Sequence, residues 1–156
     1  MQLKFKNSRF KIMQVADTQE GKNVSPDTLA LINAAIEKEK PDLVVYSGDQ
    51  IWNYASFKGN KDTVKAVLST LTEPAYSRKI PFTICFGNHD RQVGLTNEEQ
   101  FEISRSLPCF VGENAEGIDG NARAHIDIAF SVLVEHERAL ARNDLYGRTG
   151  VGIRYI

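Results

Sequence analysis

Residues 42–50 read DLVVYSGDQ. The unbroken run from Leu43 to Tyr46 is β-branched and aromatic, and it is bounded by Asp42 and by Gly48-Asp49. It predicts a strand over Asp42–Ser47 that is covered on both faces, as in parallel α/β sheets. The same grammar occurs twice more. Arg9–Ala16 (RFKIMQVA) is mostly apolar and ends at Asp17-Thr18-Gln19; Pro81–Phe86 (PFTICF) ends at Gly87-Asn88-His89-Asp90.

Helical patterns separate these runs. Ser25-Pro26 supplies an N-cap and a first-turn proline, and Leu29, Ile32, Ala35 and Ile36 form one apolar stripe that stops at Pro41. A second helix is predicted from about residues 60–62, with Val64, Val67, Leu68 and Leu71 as its stripe and Pro74 as its end or kink. Thr96-Asn97-Glu98-Glu99 reads as a capping box that opens a third. The order β-α-β-α-β-α over residues 9–106 means parallel strands joined by right-handed crossovers. All three strands then end on one side of the sheet, where such folds bind ligands.

That geometry gives the polar turns their weight. Asp17, Asp49, Asn88 and His89 would meet at one rim, and carboxylates, amide oxygens and imidazoles are ligands for hard-to-borderline divalent cations. Glycines at 48 and 87 let the chain turn sharply off each strand. Taken singly, each fragment reads as an ordinary turn. Three of them in order, each after a strand, are hard to explain as accident.

The rest of the chain bounds the answer. It has 156 residues, 42% hydrophobic and 25% charged, with a net charge of -1. This is one domain's worth of globular composition, with no general electrostatic attraction to nucleic acid or anionic membrane. No apolar run reaches a membrane-spanning length, and the basic start, MQLKFKNSRFK, lacks an apolar segment behind it. Cys85 and Cys109 are too few for a disulfide scaffold, so a cytoplasmic protein with reduced thiols is expected. No dinucleotide or P-loop glycine motif occurs. Residues 112–120 form a Gly-rich loop, 125–134 alternate as a half-buried strand, 135–142 look helical, and 147–156 show no clear pattern.

The motifs IMQVADTQ, VVYSGDQI and ICFGNHD resemble the calcineurin-like metallophosphoesterase family, and the phrasing FKIMQVAD looks most like its Dcr2 and purple-acid-phosphatase-29-like branch. The resemblance implies a β-sandwich flanked by helices (αββα), incomplete in this chain, with residues 1–120 as the N-terminal part of the domain and 121–156 as a divergent tail. It implies two divalent metal ions (Mn, Fe, Zn or Mg) and hydrolysis of a phosphate mono- or diester by a metal-bridging hydroxide. Asp17 and Gln19 would bind the first metal, Asp49 would bridge both, and Asn88 would bind the second. His89 would act as general acid or charge stabiliser, oriented by Asp90, with Asn88 and His89 contacting the phosphate of a phosphorylated small molecule. Arg91, directly after this motif, could contact the phosphate as well, and reads equally as a solvated arginine.

The chain departs from the family pattern in three places. Gln19 stands where a histidine is expected. Trp52 stands three residues after Asp49, where true purple acid phosphatases carry an iron-binding tyrosine. The closing Gly-His-x-His is absent, leaving only His89, His125 and His136. His136, after FSVLVE, is carried as a metal-ligand candidate beside the plainer reading of a solvent-facing helix histidine. The chain thus reads as the N-terminal half of such an enzyme, and open sheet edges predict homo-association or poor solubility. Two rival readings stand beside it. One is a non-catalytic domain that keeps the fold and binds metal weakly; the other is a small flavodoxin-like module holding one Mg²⁺. Trp52, Tyr54 and Phe57 read as a core cap ahead of a substrate pocket.

Overall fold

The computed structural model describes residues 3–6, 9–52 and 59–112, and beyond them the backbone of three strands, Glu113–Asn114, Ala124–Ala129 and Gly152–Tyr155. Its centre is a parallel sheet of β2 (Ile12–Val15), β3 (Leu43–Tyr46) and β4 (Phe82–Ile84), paired in that order. Val15 lies opposite Tyr46, and Tyr46 opposite Ile84, so the three strands end level with one another.

The helices form where their caps direct. In α1 (Pro26–Glu39), Ser25 Oγ accepts from Asp27 N at 3.2 Å, and Lys40 closes the helix in the left-handed conformation just before Pro41. In α2 (Lys61–Tyr76), Asn60 Oδ1 accepts from Thr63 N at 2.9 Å. In α3 (Asn97–Arg105), Thr96 and Glu99 exchange both bonds of the capping box. Pro74 does not end α2, which runs on to Tyr76. Pro74 sits in the last turn, where only the Thr70 carbonyl loses its helical donor, and Thr70 is exposed.

Sequential strand order with right-handed crossovers sets α1 and α2 on the same face. Ile32 and Ile36 of α1, Val64, Leu68 and Leu71 of α2, and Val44, Tyr46, Phe82 and Ile84 of the sheet make one buried cluster. Leu43 and Val45 point the other way, onto Leu3 of β1 (Leu3–Lys4). Both faces of β3 are therefore covered, as its apolar run requires. β2 differs from expectation: it pairs only with β3 among the described residues, and Ile12 is 38% exposed. No helix among the described residues is long and apolar enough to cross a membrane.

A second sheet joins β1 to β6 (Ala124–Ala129) in parallel, with β5 (Glu113–Asn114) antiparallel and β7 (Gly152–Tyr155) parallel to β6. The architecture is a mixed α/β fold with two sheets and helices outside one of them, a partial form of the expected sandwich. Three strands escape the sequence reading, β5 among them, in the stretch 112–120 read as a Gly-rich loop. β1 hides in a segment taken as a basic start, although LKFK alternates; β7 lies in the stretch read as patternless, although Ile153 and Tyr155 alternate with their neighbours. The expected helix over 135–142, His136, Tyr54 and Phe57 lie outside the described residues.

Candidate metal and phosphate site

The level ends of β2, β3 and β4 deliver three loops to one edge, and main-chain bonds then knit them together. Ser47 N bonds Val15 O at 2.8 Å, Asp17 N bonds Gly48 O at 3.1 Å, Gln19 N bonds Asp49 O at 2.9 Å, and Glu20 N bonds Gln50 O at 2.8 Å. The first loop thus tracks the second rung by rung. Thr18 Oγ1 adds a bond to Gln50 O at 3.0 Å. Glu20, buried, accepts from Ser25 N at 2.8 Å and so fixes this loop to the start of α1.

The second and third loops meet more closely still. A β-carbon on Gly87 would overlap Asp49 Oδ1, and one on Gly48 would stand 3.0 Å from Gly87 N. Gly48 also has a φ of +124°, which favours glycine. The glycines therefore supply room as well as turn. Asp49 Oδ1 uses that room to accept from His89 N at 2.8 Å. Asp17, Gln19 and Asp49 all hold left-handed backbone, with φ of 54°, 48° and 55°. Non-glycine residues adopt this conformation at a cost, and such strain gathers at functional sites.

Asp90 has a different task from the one the sequence suggests. Its side chain is wholly buried, and its carboxylate accepts from Asp49 N at 2.8 Å, Gly87 N at 2.8 Å and Ile51 N at 3.0 Å. It clamps the two loops instead of orienting His89, whose buried Nδ1 has no hydrogen-bond partner among the described residues. Burial pushes the Asp90 carboxyl above the ordinary carboxylate range; the three amides pull it down, and the Asp49 charge adds to the rise. Gln100 of α3, which the sequence reading passes over, supports the clamp by donating Nε2 to Asp90 O at 2.9 Å. Its signal is faint: a glutamine on the buried face of a helix.

Around this frame, Asp17 and Asn88 are exposed, while Gln19, Asp49 and His89 are half-buried. Arg91 is exposed at the start of the short 3-10 helix Asp90–Val93. Among the described residues, Trp52 belongs to neither buried cluster and lies against the His89 imidazole, with ring centroids 4.9 Å apart. Gln50, beside Asp49, is 1% exposed, and none of the described residues partners its side-chain amide. The side chain of His125, in β6, and all of His136 lie outside the described residues.

The donor set tests which cation would fit. Among the described residues, no group of three or more His, Cys, Asp or Glu could hold a metal ion. What the loops offer is two carboxylates, Asp17 and Asp49, and two amide oxygens, Gln19 and Asn88. Oxygen-only ligands suit Mg²⁺ or Mn²⁺ better than Zn²⁺ or iron, with water or further residues completing the shell.

Known proteins resemble this chain. The chain is 33% identical to the phosphatase DCR2 of Saccharomyces cerevisiae over 115 residues, 64% of this chain and 19% of that protein. It is 30% identical to the probable inactive purple acid phosphatase 29 of Arabidopsis thaliana over 143 residues, 78% of this chain and 36% of that one. It is 40% identical to the phosphodiesterase YaeI of Escherichia coli over 88 residues, 54% of this chain and 29% of that one. The chain thus spans well under half the length of each. The family model for calcineurin-like phosphoesterase matches residues 10–146. A flavodoxin-like module gives way to this result. Because the match takes in every loop at the C-terminal edge of the parallel sheet and continues past them, the chain belongs to the calcineurin-like phosphoesterase family.

Proposed function

We propose that this protein hydrolyses a phosphate mono- or diester with the help of divalent cations held at the loops after β2, β3 and β4. The observation that carries the reading is the tie between Asp49 and the third loop: a carboxylate in strained backbone, fixed at one oxygen by the His89 amide, with its other oxygen left for a cation. Asp17, Gln19 and Asn88 would complete the protein's share of ligands. Such cations, when bound, make water a nucleophile near neutral pH and offset phosphate charge. His89 would stabilise charge on the phosphate or pass a proton to the leaving oxygen. Arg91 would meet the phosphate oxygens with its guanidinium.

A second reading has its own support. Two carboxylates and two amides bind transition-metal ions more weakly than a set rich in imidazole, and three of the similar proteins are named probable inactive purple acid phosphatases. On this reading the chain keeps the fold and binds metal weakly, without turnover. Hydrolysis of p-nitrophenyl phosphate and of its bis ester with Mn²⁺ separates the two. The phosphoesterase reading expects turnover that falls at least tenfold, on the order of a lost charge interaction, in Asp49→Asn and His89→Ala. Equal rates in all three proteins would leave the non-catalytic reading standing.

A further inference from the structure

We propose that Trp52 is the positioning residue for His89; the inference rests on His89 acting at the site described above. The indole and imidazole planes are tilted by 41°, with centroids 4.9 Å apart. Trp52 is well anchored for such a role. Its main-chain N–H bonds Glu20 O in the first loop at 3.0 Å, and the preceding Ile51 N–H bonds the Asp90 carboxylate at 3.0 Å. The ring therefore stands on backbone fixed by both neighbouring loops.

His89 needs support of this kind. Its main chain is held by Asp49 Oδ1, but nothing described hydrogen-bonds its buried Nδ1. A working imidazole is ordinarily oriented by the hydrogen bond that its second nitrogen makes. Here the tilted ring contact takes that part, because an indole packed against the imidazole limits its rotation about both side-chain bonds. Trp52 is also the sole tryptophan, and among the described residues it belongs to neither apolar cluster.

The test has a kinetic and a spectroscopic arm on the full chain. In the kinetic arm, Trp52→Ala lowers kcat about three- to tenfold with KM little changed, the factor an aromatic pair supplies, and Trp52→Phe recovers most of it. An unchanged kcat in Trp52→Ala, beside a wild-type protein that turns over, overturns the positioning role while leaving the phosphoesterase reading intact. In the spectroscopic arm, the His89 ring protons are assigned by loss of their signals in His89→Ala. They should be displaced by the indole ring current and return toward ordinary histidine positions in Trp52→Ala. A wild-type protein without turnover but with that displacement sinks the catalytic reading and keeps the placement of His89 by Trp52. His89 signals that do not move in Trp52→Ala overturn the placement itself. Circular dichroism checks that the alanine variant is folded; should it unfold, Trp52→Phe carries the comparison, with a smaller ring-current displacement expected and an unchanged one contradicting the inference.

Discussion

Replacing Asp90 by alanine removes one acceptor group from three backbone amides at once. The amides of Asp49, Ile51 and Gly87 all point at its carboxylate, within 2.8–3.0 Å, from a fully buried position. A buried donor left without an acceptor costs about 1–3 kcal/mol, so three set an upper range of about 3–9 kcal/mol. Two effects reduce that sum: water can enter the emptied space near the rim, and the variant no longer buries a carboxylate. A net loss of about 3 kcal/mol remains, a large share of the roughly 5–15 kcal/mol that a domain commands. Urea unfolding followed by far-ultraviolet circular dichroism measures it. The loss should appear in the midpoint with little change in slope. Mn²⁺ affinity should fall as well, since the clamp holds Asp49 against the third loop. A variant within about 0.5 kcal/mol of wild type, the usual range for a surface substitution, would refute the clamp.

Three further outcomes follow from the same geometry. Gly87→Ala drives a methyl group into Asp49 Oδ1 and should cost about 1–3 kcal/mol in urea unfolding while weakening Mn²⁺ binding; a stable variant with unchanged affinity would contradict the close packing. At Asp42, burial pushes the carboxyl up, but the Lys11 amide bonded to it and the Lys6 ammonium beside it outweigh that, so the net shift is downward from 3.8. A depressed carboxyl contributes stability above its ordinary value and loses it as pH falls through the folded one. Asp42→Asn should therefore destabilise at neutral pH by less than about 1 kcal/mol and flatten the acid limb, and an unchanged limb below pH 4 would count against it. β2 is an edge strand among the described residues and exposes Ile12, so light scattering should find self-association that Ile12→Lys reduces; a monodisperse wild-type monomer would remove this expectation.

The sequence disclosed the parts of the fold whose physics is local. Val44 and Val45 face opposite sides of the sheet, and an apolar run with no polar face has no other use than a doubly covered strand. The Ser25 and Thr96 caps bond amides two and three residues on, and were equally plain. The shortest strands were not. β1 is two residues long and pairs with β6 more than a hundred residues later, so nothing nearby marks it. That α2 runs two residues past Pro74 was not legible either, because a proline's cost depends on whether the carbonyl it abandons is buried, which composition does not reveal.

The candidate site divides along the same line. That Asp17, Asp49 and the 87–90 loop share an edge was legible, because each follows a strand and parallel strands end together. What each residue does there was less so. Asp90 looked like a partner for its neighbour His89, yet it serves amides 41 and 39 residues upstream, Asp49 and Ile51, which only the folded chain brings within reach. The place of Trp52 against His89 was not legible either, because it depends on how the second and third loops pack. Of the two buried glutamines, Gln100 carried no motif, and Gln50 sat within one without a role of its own.

The central claim is that the loops after β2, β3 and β4 make one cation site. A crystal of the full chain grown with Mn²⁺ and measured near the manganese absorption edge tests it most directly. The account predicts an anomalous peak against the free oxygen of Asp49, shared with Asp17 or Asn88, and its disappearance in Asp49→Asn. Manganese bound elsewhere, or a peak at this edge that persists in Asp49→Asn, would contradict it.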